Sequence, residues 1–244
     1  MNPAAVTTAV LLAGGSGTRM AGRVDDKILA PLAGSNAFTL VLRAFRDSGV
    51  ARHIVVAYRD EAQQAVLKSI VETELGGSIP VAWVPGGIRR QDSVWNALQA
   101  LDGSTTHVFI HDCARPLIQP GQLRHLLEVV CADGAVCLAR RVTDTIKRSP
   151  ADHPDLRHMR LEDVPRDRLW AMETPQVFDR HLIVDAYHLM LEAGQFVTDD
   201  AAAVEAFGHP VSLIENDQPN LKITRPDDLD LVEILLIRRQ SPAT

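Results

Sequence analysis

The sequence predicts an α/β fold, with a mostly parallel β-sheet covered by helices on both faces. Apolar runs of strand length alternate with segments of helical period from Val6 to Ala139, in the β-α-β order typical of parallel sheets. The chain has 244 residues, of which 46% are hydrophobic and 23% charged. This composition supports a sizeable core and excludes a chain that is mainly disordered.

The first half of the chain supplies five predicted strands and four predicted helices. The first helix has Asn36 as its expected N-cap and Gly49 just past its end, which are typical helix boundaries. The predicted strands are Val6–Leu12, His53–Tyr58, Val81–Val84, Val108–Ile110 and Ala135–Ala139, and the predicted helices are Ala37–Asp47, Asp60–Leu75, Asp92–Leu101 and Leu123–Cys131.

The alternation breaks between Arg140 and Trp170, where the sequence is charged, contains prolines and has no clean period. An irregular excursion of about 30 residues inside a compact domain is unusual. Apolar residues within it, such as Ile146 and Val164, favour an ordered arm over a disordered loop. We expect a single domain over residues 1–244 with this arm at about 140–170. Regular structure then resumes, with helices over Arg180–Glu192, Ala201–Phe207 and Pro226–Ile237 and a strand over Val211–Ile214.

Charge, cysteines and hydropathy exclude several classes of protein. The net charge of −6 and the pI of about 5.8 argue against a nucleic-acid polymer as partner, because no basic excess or stripe is present. No apolar run reaches the ~20 residues of a membrane span, and no signal peptide precedes the first strand. Cys113, Cys131 and Cys137 lack the spacing of a zinc site or disulfide framework. We therefore expect a cytoplasmic protein without a membrane partner.

Three glycines follow the first predicted strand within Leu11–Met20. This segment also contains Arg19, and Lys27 follows it. Such a loop lets backbone N–H groups approach phosphates. It does not match GxGxxG, because Met20 stands where the third glycine belongs, and it lacks the Gly-Lys-Ser/Thr of a P-loop. Thr18 likewise excludes the GxSxG elbow of serine hydrolases. On the residues alone, an anion-binding loop and a tight turn both stay open.

Two further loops at predicted strand ends carry glycine or charge. Gly86–Gly87 precede the third helix, and a plain N-cap is the structural alternative to a ligand-binding role for Asp92 and Ser93. Asp112 directly follows the fourth strand, and Arg115 comes three residues later. Because ligands of parallel sheets bind at the carboxyl ends of the strands, we expect these loops to meet at one edge. Together they predict a site for a large polyanionic substrate.

Seven motifs, in order from Ala9 to about Ile237, carry a resemblance to a known family. Together they resemble the pyrophosphorylase-type nucleotidyltransferases and, among these, the 2-C-methyl-D-erythritol 4-phosphate cytidylyltransferases of non-mevalonate isoprenoid biosynthesis. The motifs are the glycine loop with Arg19, then Lys27, Gly86–Val94, His111–Pro116, Asp144–Lys147, Thr174–Phe178 and Asn220–Leu229.

The resemblance implies a Rossmann-like fold of the nucleotide-diphospho-sugar transferase type, with an extended β-arm for dimerisation. It implies transfer of CMP from CTP to 2-C-methyl-D-erythritol 4-phosphate, with release of pyrophosphate. Arg19 and Lys27 are then the catalytic cations at the triphosphate. No general base is needed, since the attacking phosphate oxygen is already ionised. The implied nucleotide-binding residues are Ala13, Gly14, Gly15, Gly86, Gly87 and Ser93.

The resemblance also implies an acceptor site, a metal ion and a partner subunit. The arm would cross to the second copy of a homodimer, so that Thr145 and Arg166 complete the neighbour's site. Magnesium would accompany CTP, with Asp112 as the best candidate for a direct ligand. Lys222 is expected on a strand edge. The implied substrate-binding residues are Asp112, Arg115, Thr145, Arg166, Thr174, Thr198 and Lys222.

The first loop departs from the family pattern. The segment from Arg19 to Lys27 is longer by one residue than in many members, and Asp26 replaces a common proline. We expect Asp25 and Asp26 to pair with Lys27 or to hold a metal. Because relatives that act on ribitol 5-phosphate share the longer loop, that polyol phosphate is the alternative acceptor. A non-catalytic nucleotide-binding protein on the same fold is the interpretation from another class.

Overall fold

The main sheet has seven strands, six of which lie at or near predicted positions. The computed structural model of the chain describes residues 5–15, 20, 24–150 and 157–240. In chain order the strands of this sheet are β1 (Thr7–Leu12), β2 (Ala51–Tyr58), β3 (Val81–Pro85), β4 (His107–Asp112), β5 (Ala135–Arg141), β8 (Trp170–Asp179) and β9 (Ser212–Glu215), with β6 (Ile146–Arg148) and β7 (Glu162–Val164) in the arm.

The order of strands across the sheet is β3-β2-β1-β4-β8-β5-β9. The β1–β2, β1–β4, β2–β3 and β5–β9 pairs are parallel, whereas β8 runs antiparallel to both β4 and β5. Because β1 to β4 are parallel, their carboxyl ends lie at one edge of the sheet. In open α/β sheets, ligands bind in the crevice outside the carboxyl ends of the strands.

Helices cover both faces of the sheet, as predicted. Side chains of β1 alternate between two core clusters, so that Leu11 packs with Phe38 on one face and Val10 packs with Val94 on the other. The helices are α1 (Ala37–Ser48), α2 (Glu61–Leu75), α3 (Arg90–Gln99), α4 (Pro120–Asp133), α5 (Arg180–Glu192), α6 (Asp200–Ala206) and α7 (Pro226–Gln240). Helices α1, α2, α4 and α7 contribute to the first cluster, and α3, α5 and α6 to the second.

Local chemistry sets the helix boundaries. The Asn36 side chain accepts the Thr39 N–H at the start of α1, and Gly49 follows the helix at φ 69°, a left-handed conformation that glycine adopts without strain. Both boundaries were predicted. Neither Asp92 nor Ser93 is the N-cap of α3, because Arg89 holds that position and α3 begins at Arg90. The Asp92 carboxylate, inside the first turn, accepts the Arg89 N–H at 3.0 Å.

The described residues of the arm, 140–150 and 157–170, include a two-stranded ribbon apart from the main sheet. Strands β6 and β7 pair antiparallel, with Ile146 opposite Val164. Lys147 pairs with Asp163 across the ribbon, and Arg148 with Glu162. A single 3-10 turn, Arg166–Arg168, leads from the ribbon into β8.

In the described part of the chain, no helix is both long and apolar enough to cross a membrane. All three cysteines are free thiols, and Cys113 and Cys137 are buried.

Candidate active site

A cleft of about 520 Å³ opens at the carboxyl ends of β1 to β4. It brings together the three predicted loops and a fourth segment, which contains Lys222 and Thr224 and precedes α7. Nine predicted site residues line it: Ala13, Gly14, Gly15, Lys27, Gly86, Gly87, Ser93, Asp112 and Lys222. Arg59, Ile88, Arg89, Arg90 and Thr224 also line it.

The wall formed by β1, β2 and β3 is made of close-packed backbone. A Cβ on Gly14 would lie 3.3 Å from the Tyr58 carbonyl, and one on Gly86 would lie 3.1 Å from the same oxygen. A Cβ on Gly87 would lie 2.2 Å from that of Asp92, so this position excludes any side chain. The Ser93 hydroxyl accepts the Gly87 N–H at 2.9 Å and holds the loop against α3. The result is a narrow slot lined by peptide groups.

Asp112, at the end of β4, is the electrostatic centre of the opposite wall. Its carboxylate accepts from Lys222 Nζ at 2.5 Å and from Arg90 Nε at 3.2 Å. Burial alone would raise the pKa of this carboxyl, but the Arg90 and Lys222 charges lower the pKa well below its ordinary value. Asp112 is therefore an anion at neutral pH, and it holds two cations at the cleft surface.

Lys27 lies between these two walls. Its Nζ donates to the Ile223 carbonyl at 2.9 Å, beside Lys222. A Cβ on Gly15 would lie 4.0 Å from Lys27 Cε, so the lysine stem runs close to the glycine loop. Arg19, the other predicted catalytic cation, lies outside the described residues.

Asp26 is not directed into the cleft as a metal ligand would be. Its Oδ2 accepts from Gln63 Nε2 at 2.6 Å and from Arg59 NH1 at 3.2 Å. This carboxylate thus ties the end of the first loop to the β2–α2 connection.

This cleft combines a peptide-lined slot, lysines at its centre and a carboxylate at its far wall, which suits a nucleotide and a second anion. Comparison with known proteins agrees. The family model for 2-C-methyl-D-erythritol 4-phosphate cytidylyltransferase (IspD) matches residues 7–238. The chain belongs to this family.

Relatives and solved structures of the same name cover almost the whole chain. The chain is 37% identical to the 2-C-methyl-D-erythritol 4-phosphate cytidylyltransferase of Pelotomaculum thermopropionicum, over 95% of this chain and 94% of that one. It is 35% identical to that of Geobacillus kaustophilus, over 96% and 98%. The structure of 4-diphosphocytidyl-2C-methyl-D-erythritol synthase from Anaerococcus prevotii has a TM-score of 0.81 at 25% identity, covering 96% of this chain and 99% of that one.

A buried ionic network behind the cleft of this cytidylyltransferase-family chain was not predicted from the sequence. Arg90 donates to both oxygens of Asp200, at 3.0 and 2.8 Å, while its Nε reaches Asp112. The Asp200 side chain is 0% exposed and also accepts from the Tyr187 hydroxyl at 2.5 Å. Arg90 therefore links Asp112 to α6 and α5. Two residues in the sequence could have indicated this network: Arg90, within the motif Gly86–Val94, and Asp200, the second acid after Thr198.

Thr174 lies behind the cleft wall and orders the backbone of β4. Its hydroxyl oxygen accepts the Asp112 N–H at 3.1 Å and contacts His111 Nδ1 at 3.1 Å. The other ring nitrogen, His111 Nε2, faces the Arg115 carbonyl at 3.1 Å. A carbonyl only accepts, so Nε2 carries the proton and Nδ1 accepts from the threonine. His111 is thus held neutral.

The neutral state of His111 predicts acid sensitivity. Burial lowers the pKa of His111 from 6.5 to about 4. Between these values the unfolded chain binds a proton that the folded chain does not, so stability falls as the pH drops. We expect the wild type to lose roughly 3 kcal/mol more unfolding free energy than His111→Asn between pH 7 and 4. Urea titrations at both pH values measure this difference, and equal losses in the two proteins would contradict it.

Four other predicted site residues do not line the cleft. Arg115 points behind Asp112, where its NH1 donates to the Asn220 carbonyl at 2.7 Å. Thr145 and Arg166 are exposed on the arm, and Arg166 donates to the Thr143 carbonyl. Thr198 is exposed just before α6. A site built from one chain therefore lacks the two arm residues.

Lys222 does not lie on a strand, which corrects the prediction of a strand edge. It belongs to the irregular segment 221–224, between β9 and α7. Asn220 fixes this segment by donating to Glu173 Oε2 and to the Thr174 carbonyl. Its neighbour Ile223 donates its N–H to the Ala114 carbonyl. These bonds hold the segment against β4 and β8.

Proposed function

We propose that the chain transfers CMP from CTP to 2-C-methyl-D-erythritol 4-phosphate, giving 4-diphosphocytidyl-2-C-methyl-D-erythritol and pyrophosphate in non-mevalonate isoprenoid biosynthesis. The observation that carries the proposal is the placement of Lys27 between a glycine-lined slot and the Asp112–Lys222 pair. Family membership and the names of the relatives support the same reaction.

The order of strands supports binding of the two substrates at opposite ends of the cleft. Gly14, Gly86 and Ser93 belong to the β1–β2–β3 side, where peptide groups suit cytosine and ribose. Asp112 and Lys222 belong to the β4 side, where a carboxylate suits hydroxyl groups and an ammonium suits a phosphate. The α-phosphate of CTP then lies between them, beside Lys27.

The chemistry needs cations and positioning more than proton transfer. An ionised phosphate oxygen of the acceptor attacks the α-phosphorus, and the bond from that phosphorus to the oxygen bridging the α- and β-phosphates breaks, so that pyrophosphate leaves. Lys27 and Arg19 stabilise the charge that gathers on the α-phosphate oxygens. No general base is required, which agrees with the burial of His111 and the engagement of both its ring nitrogens in hydrogen bonds.

Two buried polar atoms lie behind the acceptor end of the cleft. Among the described residues, Arg115 Nε and Asn220 Oδ1 are buried without a hydrogen-bond partner. Such atoms carry a free-energy cost that a bound polar group relieves. Neither residue lines the cleft, so Arg115 can reach the acceptor phosphate only if its side chain turns away from the Asn220 carbonyl.

Magnesium enters as part of the nucleotide substrate. In the described part of the chain, no group of three or more His, Cys, Asp or Glu side chains is placed to hold a metal ion. The Asp112 carboxylate is already paired with Lys222 and Arg90, so it can supply a metal ion with at most one ligand. A Mg²⁺ ion carried by the CTP phosphates, with mostly water and phosphate ligands, fits this donor set.

The arm supports a homodimer with shared sites, since Thr145 and Arg166 do not line the cleft of their own chain. If the arm serves the partner, mixing inactive Lys27→Ala and Arg166→Ala chains creates one intact site per mixed dimer. We expect up to a quarter of wild-type activity per site in an equal mixture, by random pairing. Steady-state turnover after subunit exchange measures it.

The reverse mixture is the control for this prediction. In this control, chains that carry both Lys27→Ala and Arg166→Ala are mixed with wild-type chains. A mixed dimer then has no intact site, so activity per wild-type chain should fall. Mixed dimers that form without either effect would show that each site is built from one chain.

The alternatives are separated by an acceptor comparison. Purified protein with CTP and magnesium should release pyrophosphate with 2-C-methyl-D-erythritol 4-phosphate and far more slowly with ribitol 5-phosphate. Turnover with ribitol 5-phosphate alone would overturn the acceptor. CTP binding without turnover on either acceptor would favour the non-catalytic interpretation.

The free cysteines support a cytoplasmic location for this reaction.

A further inference from the structure

One buried amide joins the two ends of the glycine-rich loop. Gln63, in the first turn of α2, is 2% exposed. Its Nε2 donates to the Ala13 carbonyl at 3.1 Å, where the loop leaves β1. The same nitrogen donates to Asp26 Oδ2 at 2.6 Å, where the loop returns. Both amide protons of one side chain are thus used to close the segment 14–25.

The orientation of this amide is fixed by a third partner. The Arg59 N–H donates to Gln63 Oε1 at 2.7 Å, so the oxygen faces the backbone and the NH₂ group faces the loop. Arg59 also donates through NH1 to Asp26 Oδ2 and through Nε to Asp60, the N-cap of α2. The Gln63 amide therefore has a single arrangement that satisfies all of its hydrogen-bonding groups.

Asp26 passes this constraint on to the residues that follow it. Its Oδ1 accepts the Ile28 N–H at 3.1 Å, and its carbonyl accepts from Leu29 and Ala30. These bonds form the turn that contains Lys27. The lysine then reaches the Ile223 carbonyl from this turn.

We propose that Gln63 is a positioning residue for Lys27: it clasps Ala13 and Asp26 together and so sets the turn from which the lysine reaches the cleft. The inference rests on the proposed function for its effect on turnover. The clasp itself is a structural claim that can be measured without substrate. It gives Asp26 a role that was not predicted from the sequence.

The physical basis is preorganisation. Holding the ends of a loop together removes conformations in which its catalytic group is misplaced, and misplacement by about 1 Å can cost on the order of 100-fold in rate. Because Gln63 contacts the two ends of the loop and does not line the cleft, its loss should act on the catalytic step more than on substrate binding.

The decisive variant is Gln63→Glu, which keeps the shape of the side chain. It places a carboxylate against Asp26 and the Ala13 carbonyl in place of two donors. We expect kcat to fall by about 10-fold or more while the KM values for CTP and acceptor change by less than about 3-fold. An unchanged kcat per folded molecule would overturn the proposal.

A second substitution tests whether the contact itself is responsible. Asp26→Asn supplies an NH₂ group that can donate to the new carboxylate, so Gln63→Glu/Asp26→Asn should be more active than Gln63→Glu alone. Simple structural damage would instead make the double variant as poor as the worse single variant, or poorer. Asp179→Ala is the matched control, because it removes the α5 N-cap at the opposite edge of the sheet. It should lower stability and leave kcat unchanged.

A measurement on the substrate-free protein separates this proposal from the proposed function. Amide hydrogen exchange at Ile28, Leu29 and Ala30 should be at least about 10-fold faster in Gln63→Glu than in wild type and in Asp179→Ala. If the wild type fails to turn over but this difference is seen, the clasp stands and the assigned reaction fails. Equal exchange in all three proteins would overturn the clasp.

Discussion

Lys27→Ala should lower kcat by about 100- to 1000-fold and change the KM for CTP by less than about 5-fold. Lys27 lies beside the glycine loop and reaches the Ile223 carbonyl, next to Lys222. Its charge is needed most when negative charge gathers on the α-phosphate, so its removal costs transition-state binding more than ground-state binding. Steady-state kinetics with varied CTP at saturating acceptor separates the two.

The control for this prediction is Lys68→Ala, a lysine that lies over Trp83 on the far side of β3. It removes the same charge from the protein without touching the cleft, and we expect kcat to stay within about 2-fold of wild type. An effect of Lys27→Ala confined to KM would contradict a role in the transition state.

Asp200→Asn should destabilise the fold by about 3–5 kcal/mol, the usual cost of breaking a buried ion pair. Arg90 would keep its charge but lose its carboxylate partner. If the asparagine oxygen still accepts from Arg90 NH1 and the Tyr187 hydroxyl, its NH₂ group must face Arg90 NH2, which is also a donor. We also expect a higher KM for the acceptor, since Arg90 holds Asp112 through Nε. Urea unfolding measures the first effect and acceptor titrations measure the second.

Asp185→Asn is the matched control for this substitution, because Asp185 is an exposed aspartate on α5. Its unfolding free energy should stay within about 0.5 kcal/mol of wild type. A loss below about 1 kcal/mol for Asp200→Asn would show that the network carries little of the stability.

Those parts of the fold that depend on local patterns were predictable from the sequence. The boundaries of α1 follow from Asn36 and Gly49, whose cap chemistry acts within a few residues. Strand β8 was missed, because it contains Pro175 and polar residues that become buried only between β4 and β5. Its antiparallel direction depends on where the arm returns the chain, and no local pattern encodes that.

The candidate site likewise has a part that was predictable from the sequence and a part that was not. Gly86, Gly87 and Asp112 were predictable because glycines and acids at the ends of parallel strands meet at one edge. Arg90 and Asp200 are separated by 110 positions along the chain, and each alone resembles an ordinary surface charge. Only the folded structure brings them together, in a network that the family motifs do not describe.

The most direct test of the account is to follow the phosphates of CTP during one turnover with excess enzyme. With magnesium and 2-C-methyl-D-erythritol 4-phosphate, label in the α-phosphate should appear in the cytidine-containing product, and label in the γ-phosphate should appear in pyrophosphate. The Lys27→Ala protein should give the same products at a rate about 100- to 1000-fold lower. Label from the γ-phosphate in the acceptor product, or no acceptor-dependent transfer by the wild type, would contradict the account.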